Sequence, residues 1–239
     1  ARIRKVYQGR VEKGKMTPGQ LEAKMGLLHP TTTWNAFHDV DLAIEAVPEE
    51  ADRKRDVFAQ LDRACPPSAV LASNTGSLSI QDLARSTQRP GKVAGLHFFH
   101  PVRVMKLVEV VRTIATSDDV FDAAFSFAKD LGKQPIAAKD NSGFVVNLLL
   151  VPYMLDAIRH LERGVASIED IDRAMTLGLG YPMGPFTLCD FVGIDTLYRI
   201  SEIMFDEYRE KRFAPPSLLK QMVQAGRLGR KSGEGFYTY

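Results

Sequence analysis

Two titratable side chains interrupt apolar runs that otherwise read as buried strands: His97 inside AGLHFF and Glu109 inside LVEVV, joined by a connection containing Pro101. A buried imidazole or carboxylate costs stability unless it finds a partner. Pairing with each other meets both needs. A carboxylate hydrogen-bonded to one imidazole nitrogen fixes the tautomer and makes the other nitrogen a better general base. The alternative reading is a structural histidine satisfied at a strand end. The segment Ser73-Asn74-Thr75-Gly76-Ser77 follows one apolar run and precedes a helix. It therefore lies where α/β sheets bind ligands, beyond the carboxyl ends of the strands, and its hydroxyl, amide and N–H groups suit a polar substrate group. On spacing alone it is equally an N-capping turn, with Ser77 or Ser79 as the cap. Asn147 is a lone amide in GFVVNLLL and needs a partner, either a ligand or a neighbouring carbonyl. Glu49 and Lys54 flank a helix start at another strand's carboxyl edge and, taken alone, read as solvated helix charges. Lys231, in GRKSGEGF, suits a phosphate or simply a soluble tail.

The elements that must hold these residues follow from hydrophobic periodicity. Residues 1–34 read as helical segments, with Thr17 as N-cap and Pro18 at the first position of a second helix. From 41–47 the pattern changes to a short apolar run followed by a charged helix over 52–63. The alternation continues with strands at 69–75, 93–99, 107–111 and 135–139 and helices at 79–85 and 118–131. Strands alternating with helices predict an α/β fold, a Rossmann-type doubly wound parallel sheet. Beyond Asp140 the chain reads as helices over 143–163, 167–177, 186–209 and 216–224. The expected division is residues 1–139 for an incomplete dinucleotide-binding domain and 140–239 for an all-helical domain.

Bulk composition excludes several function classes. A formal charge of +2 in 239 residues, with basic and acidic residues mixed, argues against a nucleic-acid or membrane surface and leaves small anionic ligands open. The apolar stretch 143–155 contains Asn147 and Pro152 and is too short to span a bilayer. Cys65 and Cys189 stand in no metal-type spacing, so two free thiols, a reducing compartment and no metal site are expected.

Taken in order, SNTGSL, AGLHFFHPVRVMKLVEVV, GKQPIAAKDNSGFVVN, GLGYPMGPF and GRKSGEGFY resemble the 3-hydroxyacyl-CoA dehydrogenase family across nearly the whole chain. The resemblance implies NAD as cofactor, an acyl-CoA substrate, a homodimer formed through the helical domain, and reversible oxidation of an (S)-3-hydroxyacyl-CoA to the 3-ketoacyl-CoA, in fatty acid β-oxidation or 3-hydroxybutyryl-CoA metabolism. It assigns His97 and Glu109 as the catalytic pair, with Asn147 and Ser77 helping to hold the reacting groups. Glu49, Lys54, Asn74, Gly76, His100 and Lys231 match positions near the cofactor. A bacterial cytoplasm or a mitochondrial matrix suits these motifs.

Four positions depart from the family pattern: Gly76 stands for a serine, His100 for an asparagine, Ser142 for a proline and Leu148 for an arginine. Gly76 removes a hydroxyl that the resemblance would set on the substrate oxygen, so Ser77 is expected to supply that contact from one position along, or His97 to act alone. Before Asp41 nothing reads as a strand followed by GxGxxG, the fingerprint that seats a pyrophosphate on a helix N-terminus. The expectation is therefore a truncated chain, short by roughly 30 to 50 residues and inactive by itself. Two rival readings remain: a sugar-acid dehydrogenase of the same superfamily, and a non-catalytic fragment that binds no dinucleotide.

Overall fold

The computed structural model describes residues 2–239; Ala1, with which the first expected helix opens, lies outside the described residues. Two helices come first, α1 (Arg2–Glu12) and α2 (Pro18–Met25). Thr17 caps α2 through the Gln20 N–H, and the Gln20 side chain returns a bond to the Thr17 N–H. The helical stretch expected to Trp34 stops at Met25, and a short 3-10 turn follows at Trp34–Phe37.

The sheet and its helices then alternate: β1 (Leu42–Glu45), α3 (Ala51–Ala64), β2 (Val70–Ser73), α4 (Ile80–Ala84), β3 (Val93–Phe98), β4 (Leu107–Arg112), α5 (Asp118–Asp130) and β5 (Gln134–Lys139). Their spatial order is β1-β2-β3-β4-β5. Period-two alternation sends Ala43, Leu71, Val93 and Val111 to one face, against Phe58 and Leu61 of α3 and Ile80 and Leu83 of α4. Ala72, Ala94, Leu96, Val108 and Val110 face the other side, against Val120, Ala124 and Ala128 of α5. The result is a Rossmann-like sheet covered by helices on both faces.

The sheet is not wholly parallel: β3 and β4 pair antiparallel, while the other neighbours are parallel. The physical reason lies in the sequence, because the connection over 99–106 is too short for a crossover between parallel strands.

The remaining helices build a second layer: α6 (Val146–Glu162), α7 (Ile168–Leu179), α8 (Pro185–Val192), α9 (Ile194–Tyr208) and α10 (Ser217–Gln224). They enclose a separate core around Leu155, Ile158, Phe186, Leu197, Met204 and Leu219. The single helix expected over 186–209 is two, because Gly193 adopts φ +101°, a conformation closed to most side chains, and breaks it. Buried carboxylates stitch the ends together. Asp172 accepts from the Phe186 and Thr187 N–H groups at the start of α8, and Asp190 accepts from those of Phe236 and Tyr237 in the C-terminal segment.

Candidate active site

The antiparallel register sets His97 directly opposite Glu109. Directly opposed residues share a sheet face with their Cβ atoms close. His97 Nδ1 lies 2.6 Å from Glu109 Oε2, with the glutamate fully buried and the histidine side chain 12% exposed. Glu109 Oε1 accepts two further bonds, from the N–H groups of Val145 and Val146 at the start of α6, at 3.0 and 2.9 Å. A helix N-terminus favours a negative charge, and a carboxylate receiving two N–H groups acts as acceptor toward its third partner as well. His97 Nδ1 is therefore the donor, and Nε2 keeps its lone pair free. The chain reaches this arrangement through a tight entry into α6. Gly143 and Phe144 both take positive φ, +83° and +47°, a strained choice for phenylalanine costing roughly 1–2 kcal/mol. The Phe144 and Phe99 rings then lie on the imidazole, with centroids 5.8 and 4.6 Å away.

The turn after β2 faces the free nitrogen. A Cβ at Gly76 would sit 2.7 Å from His97 Nε2 and 3.1 Å from Asn147 Nδ2, so the backbone approaches the imidazole as closely as a side-chain-free residue allows. Asn147 donates its amide to the Gly76 carbonyl at 3.1 Å. Asn74 holds the other end of the turn, its Oδ1 accepting from the Phe98 N–H at 2.8 Å. Across from these groups, α9 contributes Thr196 and Arg199, and His100 flanks the opening. Together they enclose a cleft of about 510 Å³ between the sheet edge and the helical layer, the size of a small-molecule site.

Several expected contacts take a different form. Ser77 is 1% exposed, and its hydroxyl donates to Glu49 Oε1 at 2.8 Å, so in this arrangement it supports the turn. Glu49 Oε1 also accepts from the Thr75 hydroxyl and the Gly76 N–H. Burial works against charge on Glu49, but the bonds from Thr75 and Ser77, the Lys54 ammonium and the Gly76 N–H outweigh it and hold the carboxyl below its ordinary range. Lys54 is 1% exposed, with its Nζ 2.7 Å from Glu45 Oε1, 3.0 Å from the Val47 carbonyl and 3.4 Å from Glu49 Oε2. Its ammonium is a buried counter-ion to both carboxylates. Lys231 pairs with Asp195 on the rim of the cleft, 2.5 Å away, and remains half exposed.

Sequence reasoning missed Glu45. The signal was the one that exposed Glu109, an acid inside an apolar strand, here 3% exposed. It also missed a groove of about 720 Å³ lined by Arg2, Lys5, Arg10, Lys13, Lys15 and Arg103. Arg103 lies three residues past His100, so one loop borders both the groove and the cleft.

Residues 1–141 match the profile of the 3-hydroxyacyl-CoA dehydrogenase NAD binding domain, and residues 143–239 that of its C-terminal domain. The chain belongs to the 3-hydroxyacyl-CoA dehydrogenase family. It is similar to the 3-hydroxybutyryl-CoA dehydrogenase of Mycobacterium tuberculosis, 50% identical over all of this chain and 84% of the relative. It is also similar to the human mitochondrial hydroxyacyl-coenzyme A dehydrogenase, 48% identical over 87% of this chain and 67% of that protein. The crystal structure of M. tuberculosis FadB2 superposes with a TM-score of 0.96 at 50% identity, covering all of this chain and 84% of that one. The (S)-3-hydroxybutyryl-CoA dehydrogenase PaaH1 of Ralstonia eutropha superposes with a TM-score of 0.94 at 38% identity, covering 98% and 83%. This dehydrogenase uses NAD, and the cleft fits the reacting end of such a cofactor: Gly76 leaves a flat, Cβ-free floor beside His97. Among the described residues no cluster of acidic, histidine or cysteine side chains could hold a metal ion, and no helix is long and apolar enough to cross a membrane.

Proposed function

We propose that this dehydrogenase carries out the reversible NAD-dependent oxidation of an (S)-3-hydroxyacyl-CoA to the 3-ketoacyl-CoA, with His97 as the general base. The observation that carries the reading is the free Nε2 of His97, opening on the cleft beside Gly76 while Nδ1 is held by Glu109. His97 Nε2 takes the hydroxyl proton as the carbinol becomes a carbonyl. Bound NAD supplies the acceptor for the hydride that leaves that carbon. Glu109 keeps the productive tautomer and stabilises the imidazolium that results, while the two α6 N–H groups prevent it from turning away. Asn147, tied to the Gly76 carbonyl by one amide hydrogen, has its second N–H left to donate to the substrate oxygen. General base catalysis of this kind contributes about 100- to 10,000-fold.

Five cations from residues 2–15 line the groove beside α1 and support CoA over a sugar acid as the handle. Arg103 joins them from the loop that also carries His100, so a thioester at His97 can extend into basic surroundings suited to its phosphates. Homodimer formation is supported by an apolar face on the helical layer. Leu149 on α6 and Leu177 and Leu179 on α7 are 71%, 79% and 63% exposed. Tyr181 packs edge-on against Tyr153, and the buried Tyr153 hydroxyl has no partner among the described residues. Such a patch is characteristic of an interface. Two buried free thiols suit a reducing compartment such as a bacterial cytoplasm. The functional test offers acetoacetyl-CoA and 3-ketohexanoyl-CoA with NADH, beside a keto sugar acid; turnover of the thioesters alone is the expected result.

A further inference from the structure

Gly76 stands close to His97 Nε2 because the turn is braced from beneath, and the brace begins at a residue that touches neither the cleft nor the imidazole. Glu45 ends β1. Its carboxylate accepts from the Val47 N–H at 2.6 Å, from Lys54 Nζ at 2.7 Å and from the Ser73 hydroxyl at 2.7 Å. Two routes run from it to the turn. In one, Lys54 passes to Glu49 Oε2 at 3.4 Å, and Glu49 Oε1 gathers the Thr75 hydroxyl, the Gly76 N–H and the Ser77 hydroxyl. In the other, the Ser73 oxygen accepts the Thr75 N–H at 3.2 Å.

Stability alone does not account for this arrangement. Replacing a buried ion pair by packed apolar side chains of similar volume is often neutral or stabilising, and the flanking β1 residue Ala43 already belongs to the core beneath α3. An apolar pair at 45 and 54 could not hold Glu49 in place or orient Ser73 toward the Thr75 N–H. We propose that Glu45 is a positioning residue for the reaction: by fixing Lys54 and Ser73 together it holds the 74–77 turn against His97, and so sets where the substrate hydroxyl meets the base. The proposal rests on the hydroxyacyl-CoA dehydrogenase reading. Displacing a reacting group by an ångström costs about 100-fold in rate, and relaxation of this turn is a displacement of that kind.

The test is Glu45→Gln in the intact protein, assayed with NADH and acetoacetyl-CoA beside the parent protein, Ser77→Ala and the double variant. Parent turnover tests the reading of the reaction; the variant-to-parent ratio tests Glu45. The expected result is a kcat about 10- to 100-fold lower, with KM for acetoacetyl-CoA within about threefold. The double variant should be no slower than about the slower single one, because both changes act through the same turn. A purely structural role would lower Tm and leave the kcat of folded enzyme unmoved, and that result would overturn the proposal, as would independent, multiplying effects of the two changes. If the Glu45 variant does not fold, Ser73→Ala removes one hydroxyl and no charge. A kcat reduced about fivefold or more supports the proposal, and one within about twofold of the parent overturns it.

Discussion

Replacing Glu109 by glutamine changes one atom and reverses the logic of the pair. In the native site Oε1 is committed to the Val145 and Val146 N–H groups and Oε2 accepts from His97 Nδ1. The amide oxygen of glutamine would keep the two backbone donors, the contacts it alone can satisfy, which turns the NH2 group toward His97. Nδ1 must then accept, the proton moves to Nε2, and the lone pair that faces the cleft is lost. A wrong tautomer of this kind in an Asp-His pair is worth about 10⁴-fold in kcat, and the general-base contribution sets a floor near 100-fold. The expected loss is thus about 2.7 to 5.5 kcal/mol of transition-state stabilisation. The assay is NADH consumption with saturating acetoacetyl-CoA, paired with a fluorescence titration of NADH and a melting curve. The expected result is a kcat lowered within that range while NADH affinity stays close to the parent value. More than about a tenth of the parent kcat, or a loss explained by unfolding, would refute it.

Three further outcomes follow from the geometry. Gly76→Ala inserts a methyl 2.7 Å from His97 Nε2 and should cut kcat by about 100-fold, and more deeply still as serine; a serine variant that gains activity would show that the turn has room the structure denies it. Removing Lys13 and Arg103 together should raise KM for acetoacetyl-CoA about fivefold, the effect of solvent-screened charges worth roughly 1 kcal/mol, and weaken its salt dependence. The same double variant should leave KM for the pantetheine thioester, which lacks the nucleotide phosphates, unchanged. Leu177→Asp puts a charge on the apolar face of the helical layer and should convert a dimer to monomers in light scattering; a parent protein that already runs as a monomer would contradict the interface.

The order of strands and helices was legible because apolar runs of period two alternate with amphipathic helices, and because Thr17, Pro18 and Gln20 spell a capped start. The His97 and Glu109 pair was legible because each interrupts a run that has no other use for charge. What stayed hidden depends on tertiary direction. Pattern alone did not declare β3 and β4 antiparallel, although the short 99–106 connection contained that information. Nor did Gly193 announce a helix break inside a helical pattern. Ser77, Lys54 and Glu49 could be located at strand ends, but whether each side chain turns into the cleft or beneath it is decided by Glu45, a strand residue on the other side of the turn. The basic groove likewise joins α1 to Arg103 across about a hundred residues of chain, a juxtaposition that linear spacing does not carry.

The most direct test of the central claim is the rate of NADH formation from (S)-3-hydroxybutyryl-CoA and NAD by the intact protein and by His97→Gln, with NADH affinity measured on both. A general base at Nε2 predicts rapid turnover by the parent, at least about 100-fold slower turnover by the variant, and equal NADH affinity. A His97 variant that keeps more than about a tenth of the parent rate would mean that another group takes the hydroxyl proton, and would contradict the account.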